Sequence, residues 1–272
     1  MRRSVVVLLL GVLVFASVAQ AAEEAAPAKG IKVLVITGND VSAHKWQETT
    51  PQLKKILDSR GRFDVTVAEI NKNPNILDDA DALKPYDVIV QNYVSLKLPS
   101  ISDKAKENLL SFVRDGKGFV CFHMSSASWA DWDEFHKLCG RYWIMGKSGH
   151  GPRGKFMANV VASDDPITRR TQDFEADDEL YGKLFGEEKI NVLVSAKSEW
   201  SGKVEPLVFT KDYGKGRVFH FCFGHDVKAL EDPSVMRLWA RGVEWAAAGK
   251  IAPGGKGGGK GSRKAKAAGE AK

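Results

Sequence analysis

Cysteine is scarce in this 272-residue chain, which has only Cys121, Cys139 and Cys222. An odd number without metal-type spacing argues against a zinc ribbon or a disulfide-built scaffold. Two of the three lie inside apolar runs, Phe119 to Phe122 and Phe219 to Phe223, where a buried free thiol is the favoured reading. A Cys121–Cys222 bridge between neighbouring strands stays open. HExxH, CxxC, P-loop and GxGxxG signatures are all missing. The glycines from Gly146 to Gly154 lack the strand-to-helix setting of a phosphate loop, and those from Gly254 to Gly261 fall in a low-complexity end. No apolar run reaches the roughly 20 residues needed to span a bilayer.

Excess charge is also absent from the body of the chain. The net charge of +6 comes from the ends: residues 249–272 carry seven bases and one acid, and Arg2 and Arg3 add two more bases, leaving 31 bases against 33 acids between. A basic surface for nucleic acid is therefore not expected of the folded part. Arg2-Arg3, the apolar run Val5 to Ala16, and Ala19 and Ala21 at the −3 and −1 positions form a three-part secretory signal. Cleavage after Ala21 and export to the periplasm or the outside of the cell follow, with no membrane anchor left behind. Residues 249–272, a Gly/Lys-rich basic tail, offer almost nothing to bury and are expected to stay disordered.

What is present is 43% hydrophobic residues and seven Trp, enough for a sizeable core. Ile31 to Ile36 reads as a buried strand, followed by a helix starting at Thr50-Pro51 with Leu53, Ile56 and Leu57 on one face. Strands are expected at Phe63 to Val67, Asp87 to Asn92 and Phe119 to Phe122, with a helix capped by Ser102 between the last two. Lys155 to Ala162, Asn191 to Ala196 and a hairpin of Leu207 to Thr210 with Arg217 to Phe223 have antiparallel character. A helix over 233–248 closes one α/β domain spanning 30–248. The pattern predicts an open, mostly parallel sheet with helices on both faces.

In such sheets, ligands collect beyond the carboxyl ends of the strands. His44 follows the first strand, His123 ends the strand after Gly116-Lys117-Gly118, and His225 ends the last one, while His150 lies in the Gly146 to Gly154 loop. These four histidines could share one crevice. His136 and His220 fall inside a helix and a strand and read as packing residues. With Asp226, Glu179 and Asp131, the imidazoles can support two chemistries. They can hold Zn²⁺ or another divalent metal, with His44, His123 and His225 as candidate ligands, or act without metal as acid and base. Trp46, Trp129, Trp132 and Trp143 lie in or beside the same loops and could stack on sugar rings.

The segments Gly116 to His123 and Tyr213 to Asp226, the latter a Gly-Lys-Gly hairpin leading into Gly224-His225-Asp226, resemble the trehalose-utilization (ThuA-like) family. Weaker matches at His44-Lys45-Trp46, at Asp165 to Arg169 after His150-Gly151-Pro152, and at Asp178-Glu179-Leu180-Tyr181 extend the resemblance over about 31–248. It implies a class I glutamine amidotransferase-like, flavodoxin-like fold in which the nucleophile position on a tight elbow reads His123. Cys121 lies two residues down the strand, so a Cys-dependent glutaminase is not expected. The resemblance further implies a role with a small-molecule carbohydrate, such as a disaccharide or 3-keto-sugar.

His123 and His225 are then the central groups, Asp226 orients His225, Glu179 is an acid/base or ligand, and His44 and His150 bind substrate or metal, with Trp46, Trp129 and Trp132 at the sugar. A non-catalytic module presenting the crevice to a glycan or a partner oxidoreductase is the alternative. Assembly as a homo-oligomer stays open. The Ser-rich Met124 to Ser128 segment and the long tail depart from the family pattern.

Overall fold

Runs rich in β-branched and aromatic residues build the centre of the molecule. A computed structural model describes residues 30–96 and 101–252. In it, β1 (Ile31–Thr37), β2 (Phe63–Glu69), β3 (Val88–Gln91) and β4 (Gly118–Phe122) pair in parallel. Between them lie α1 (Trp46–Asp58), the single turn α2 (Ala80–Leu83) and α3 (Asp103–Arg114). A 3-10 turn, His123–Ala127, and α4 (Asp133–Cys139) follow β4. The remaining strands are β5 (Gly149–His150), β6 (Gly154–Val160), β7 (Phe174–Asp178), β8 (Tyr181–Gly182), β9 (Asn191–Ser198), β10 (Lys203–Tyr213) and β11 (Gly216–Phe221). The helix α5 (Pro233–Ala248) completes the set.

Nine strands form one sheet in the order β2-β1-β3-β4-β11-β10-β9-β6-β7. The parallel half runs from β2 to β11, and every pairing from β11 to β7 is antiparallel. β5 and β8 pair separately. The expected open sheet, with parallel strands, helices on both faces and an antiparallel hairpin near the C-terminus, is therefore present, and its antiparallel part extends on to β7. Its parallel strands are buried on both sides because helices cover both: Leu53, Leu57, Leu238 and Trp239 of α1 and α5 pack on one face, and Leu109, Phe112 and Phe135 of α3 and α4 on the other. Among the described residues, no helix is long and apolar enough to cross a membrane.

Capping chemistry fixes the helix ends. Ser102 accepts a hydrogen bond from the Ala105 N–H (3.0 Å). Asp232 accepts from Ser234 and Val235 (2.8 and 3.0 Å), Pro233 opens α5, and Gly249 closes it in a left-handed conformation. The expected start of α1 needs correction. The helix begins at Trp46, one turn before Thr50, and Pro51 sits inside it. The proline forfeits a single intrahelical bond there. The Thr50 hydroxyl does not cap the helix but meets Thr37 Oγ1 (3.1 Å) and Asn92 Nδ2 (2.8 Å) in a buried polar knot joining β1, α1 and the end of β3.

The Cys121–Cys222 bridge is not formed, and all three cysteines are buried and free. The expected tail also starts too early at Gly249. Ile251 packs against the core and the Ala252 N–H bonds to Glu244 Oε1 (2.8 Å), so the chain stays attached through Ala252. The expected signal and the rest of the tail lie outside the described residues.

At Gly242 α5 lies tight against the sheet, since a Cβ there would fall 2.1 Å from the Phe219 ring. Overpacking of this kind costs up to about 3 kcal/mol, against a gain of about 1 kcal/mol in helix propensity. Gly242→Ala is therefore expected to lower stability by about 2 kcal/mol, read as a lower urea midpoint with an unchanged slope. An unchanged midpoint would show that the ring can move aside.

Candidate metal and acid-base centre

The strand order places β1 and β3 side by side although β2 separates them in sequence, so the crevice beyond the carboxyl ends of β1, β4 and β11 is open to ligands. Loops leaving these three strands deliver His44, His123 and His225. The antiparallel extension delivers Glu179, just after β7, and Tyr181 in β8. One ligand atom from each of His44, His123, Glu179 and His225 lies within 4.8 Å of all the others.

His123 stands at the elbow with φ 47°, a left-handed backbone conformation that non-glycine residues rarely adopt. The Ser-rich segment after β4 holds the corner. Ser125 Oγ donates to the Gln91 carbonyl (2.7 Å), and Ser128 Oγ donates to the Tyr93 carbonyl (2.9 Å) while accepting from the Ser95 N–H (3.1 Å). Cys121 lies two residues down the strand, wholly buried, and burial pushes its thiol well above the usual range. No thiolate is available at the elbow.

The imidazole tautomers follow from their partners. His123 Nδ1 lies 2.6 Å from the Cys222 carbonyl oxygen, which can only accept, so Nδ1 carries the proton. His44 Nδ1 lies 3.1 Å from Asp40 Oδ1 and likewise donates. Their Nε2 atoms are therefore turned toward each other, 3.3 Å apart, each with its lone pair facing inward unless a proton or a cation lies between. Burial lowers the His44 pKa, but Asp40 and Glu179 outweigh it and push it up to about 9. Burial and then the neighbouring His44 hold His123 well below its ordinary value, so it stays neutral. The Tyr181 hydroxyl, kept protonated by burial, donates to His123 Nε2 (2.6 Å).

Glu179 faces all four histidines. Its Oε1 lies 3.2 Å from His225 Nδ1 and 3.5 Å from His150 Nε2, and its Oε2 lies 3.8 Å from both His44 and His123 Nε2. Burial alone would raise its pKa, yet the surrounding imidazoles hold the carboxyl below the usual carboxylate range. Glu179 Oε2 and His225 Nδ1 are buried without an aligned hydrogen-bond partner among the described residues. Asp178 sets the position of this carboxylate. Its side chain accepts from the N–H groups of Glu179 (2.8 Å), Gly224 (2.7 Å) and His225 (3.2 Å), and burial pushes its pKa up to about 6. Gly224 has φ 114°, and a Cβ there would strike the Phe122 ring at 2.3 Å.

The structure brings His44, His123, His225, His150 and Glu179 together, and it corrects three other expectations. Asp226 does not orient His225. It bonds to the Ala229 N–H (2.8 Å) and pairs with Arg153 Nε (2.9 Å). Trp129 and Trp132 do not reach a ligand, because both are buried and pack on Phe135 with centroids 4.8 and 5.5 Å away. Asp131 is exposed, and its charge acts on His136. Trp46 is half-buried at the start of α1. Trp143 is the tryptophan that reaches the site, packing edge-on against Tyr181 (4.8 Å) beside His150 (6.1 Å). His220 bonds to the Cys139 carbonyl (3.1 Å) and His136 stacks on Tyr142, both as packing residues. Asp40, Asp178 and Tyr181 were not singled out from the sequence. The Asp178 to Tyr181 match was the one signal that pointed to two of them.

The molecule is thus an open α/β sheet with a histidine-carboxylate cluster at its strand ends. The chain belongs to the family described as ThuA, trehalose utilisation, whose model matches residues 32–246. It is similar to the crystal structure of a ThuA-like protein from Parabacteroides merdae, with 30% identity and a TM-score of 0.71, covering 83% of this chain and 92% of that one. A ThuA-like protein from Bacteroides uniformis shares the fold at 17% identity and a TM-score of 0.62, covering 82% and 94% of the two chains. A β-galactosidase from Rahnella shares the fold over 80% of this chain and 32% of its own, at 15% identity and a TM-score of 0.53. No curated protein matches the chain.

Asparagine at position 178 would keep one acceptor but turn an N–H₂ toward backbone donors. Asp178→Asn is expected to cost about 2 kcal/mol in urea unfolding and to shift the amide resonances of Glu179, Gly224 and His225. Native stability in that variant would show that the carboxylate does not hold the segment.

Proposed function

We propose that this protein is an exported enzyme of carbohydrate utilisation, acting on a disaccharide or an oxidised 3-keto sugar by acid-base chemistry at a divalent-metal centre. The observation that carries this reading is the convergence of three imidazoles and one carboxylate, with Glu179 Oε2 and His225 Nδ1 buried without an aligned hydrogen-bond partner among the described residues. Three nitrogens and one oxygen suit zinc or a similar first-row ion. His44 and His123 would offer Nε2, each held from behind by the bond its Nδ1 makes to Asp40 or to the Cys222 carbonyl, and the Tyr181 hydroxyl would have to release His123 Nε2 for the ion. A bound divalent ion supplies Lewis acidity toward a sugar oxygen or bound water.

The chain's own residues handle the protons. Tyr181, protonated and buried at the centre, serves as the acid. His150 Nδ1 lies 2.7 Å from the Gly151 carbonyl, which leaves Nε2 with a lone pair, and its side chain is one-third exposed at the rim. It serves as the base and exchanges its proton with solvent. Trp143 offers an indole face beside this pair. Export rests on the amino-terminal sequence, Arg2-Arg3 through Ala21.

Elemental analysis of untagged protein is expected to find about one divalent ion per chain, lost in Glu179→Gln and His225→Ala. Loss of the ion should abolish turnover of oxidised disaccharides, with recovery on adding the ion back to chelated wild type. Tyr181→Phe and His150→Gln should keep the ion and lose at least about 10²-fold in kcat. Metal binding without turnover of any oxidised or unmodified disaccharide would favour a glycan-binding module. No ion in the wild type would sink the metal centre.

A further inference from the structure

A second concavity, of about 700 Å³, lies where α5, the end of α1 and the loop after β6 meet. Arg60 and Arg62 precede β2, and Arg241 and Glu244 lie in the second half of α5, so it opens toward the amino ends of the parallel strands, away from the histidines. Among the described residues, six arginines line it, Arg60, Arg62, Arg169, Arg170, Arg237 and Arg241, against a single carboxylate, Glu244. That carboxylate is already engaged by Arg62 (2.8 Å) and by the Ala252 N–H.

Arg241 donates through one terminal nitrogen to the Arg169 carbonyl (2.6 Å), and Arg237 donates to the Arg170 carbonyl. These bonds fix both guanidinium groups without neutralising either. Arg241 Nε is buried with no hydrogen-bond partner among the described residues. Burial, then the charges of Arg237, Arg169 and Arg170, hold the Arg241 pKa below its ordinary value. Six like charges around one hollow repel one another, and a fold that holds two of them in place concentrates positive potential there. The chain leaves this rim at Ala252 toward a segment bearing six more bases and one acid.

We infer that this cavity is a binding site for a multiply charged oxyanion of the phosphate or sulfate class. Planar guanidinium forks match such groups with paired N–H donors, and fixed forks lose little entropy on binding. The oxyanion can be free in solution or belong to an anionic lipid headgroup, because both present the same oxygens.

Melting of the full chain in low-salt buffer tests the site, comparing pyrophosphate, phosphate and sulfate with sodium chloride at equal ionic strength. Pyrophosphate is expected to raise Tm by several degrees beyond chloride, with a smaller rise for phosphate. Arg60→Gln combined with Arg169→Gln removes two charges whose side chains take no part in the backbone clamps. This variant should fold normally and bind pyrophosphate at least about tenfold more weakly. Arg237→Gln with Arg241→Gln should lose the response altogether.

Sedimentation with phosphatidylglycerol vesicles separates the sources. Capture that pyrophosphate reverses and the Arg60/Arg169 variant lacks assigns the headgroup. No capture, with the Tm response intact, assigns the free anion. A pyrophosphate response equal to that of chloride, or one unchanged in the Arg60/Arg169 variant, would overturn the site.

Discussion

One buried carboxylate joins the two halves of the sheet at the site. Asp178 lies at the end of an antiparallel edge strand, while Gly224 and His225 follow the last parallel strand. Three backbone N–H groups on both sides of the gap converge on its oxygens. Burial opposes the charge, and the hydrogen bonds offset much of that cost. This bridge works beside the Lys228–Asp177 pair and the Arg153 link between Asp177 and Asp226 to turn the end of β7, and with it Glu179, toward the histidines.

Around that anchor, the electrostatics are arranged in pairs of opposite sense. Asp40 and Glu179 favour a charged His44, whereas burial and His44 itself keep His123 neutral. Burial keeps the proton on Tyr181 while the imidazoles keep Glu179 ionised. Neighbouring groups pushed apart in this way hold proton donors and acceptors side by side at one pH, which acid-base chemistry requires.

Much of this was legible in the sequence because strand ends are written plainly. Parallel strands buried on both faces read as apolar runs, so the places where His44, His123 and His225 emerge could be counted off directly. The final helix is marked by an Asp-Pro start and a glycine stop, and its limits followed from them. The antiparallel edge was harder. Phe174–Asp178 carries three acids, which mask its strand character, and the two-residue β5–β8 pair has no pattern of its own. Asp226 beside His225 invited a triad-like reading, but Arg153 engages it instead, an ion pair formed across 73 residues that no local spacing announces. Trp129 and Trp132 sit in a loop by sequence and in the core by burial, because Phe135 and α3 give them an apolar layer to complete.

The corner at residue 123 also limits how this site can be altered. A backbone held at φ 47° admits glycine, asparagine or aspartate at modest cost and penalises valine, isoleucine or threonine, whose branched Cβ crowds the chain. Replacement of the imidazole by another side chain therefore has a short menu, dictated by main-chain torsion before any question of chemistry arises. Natural drift at this position would be funnelled along the same few routes.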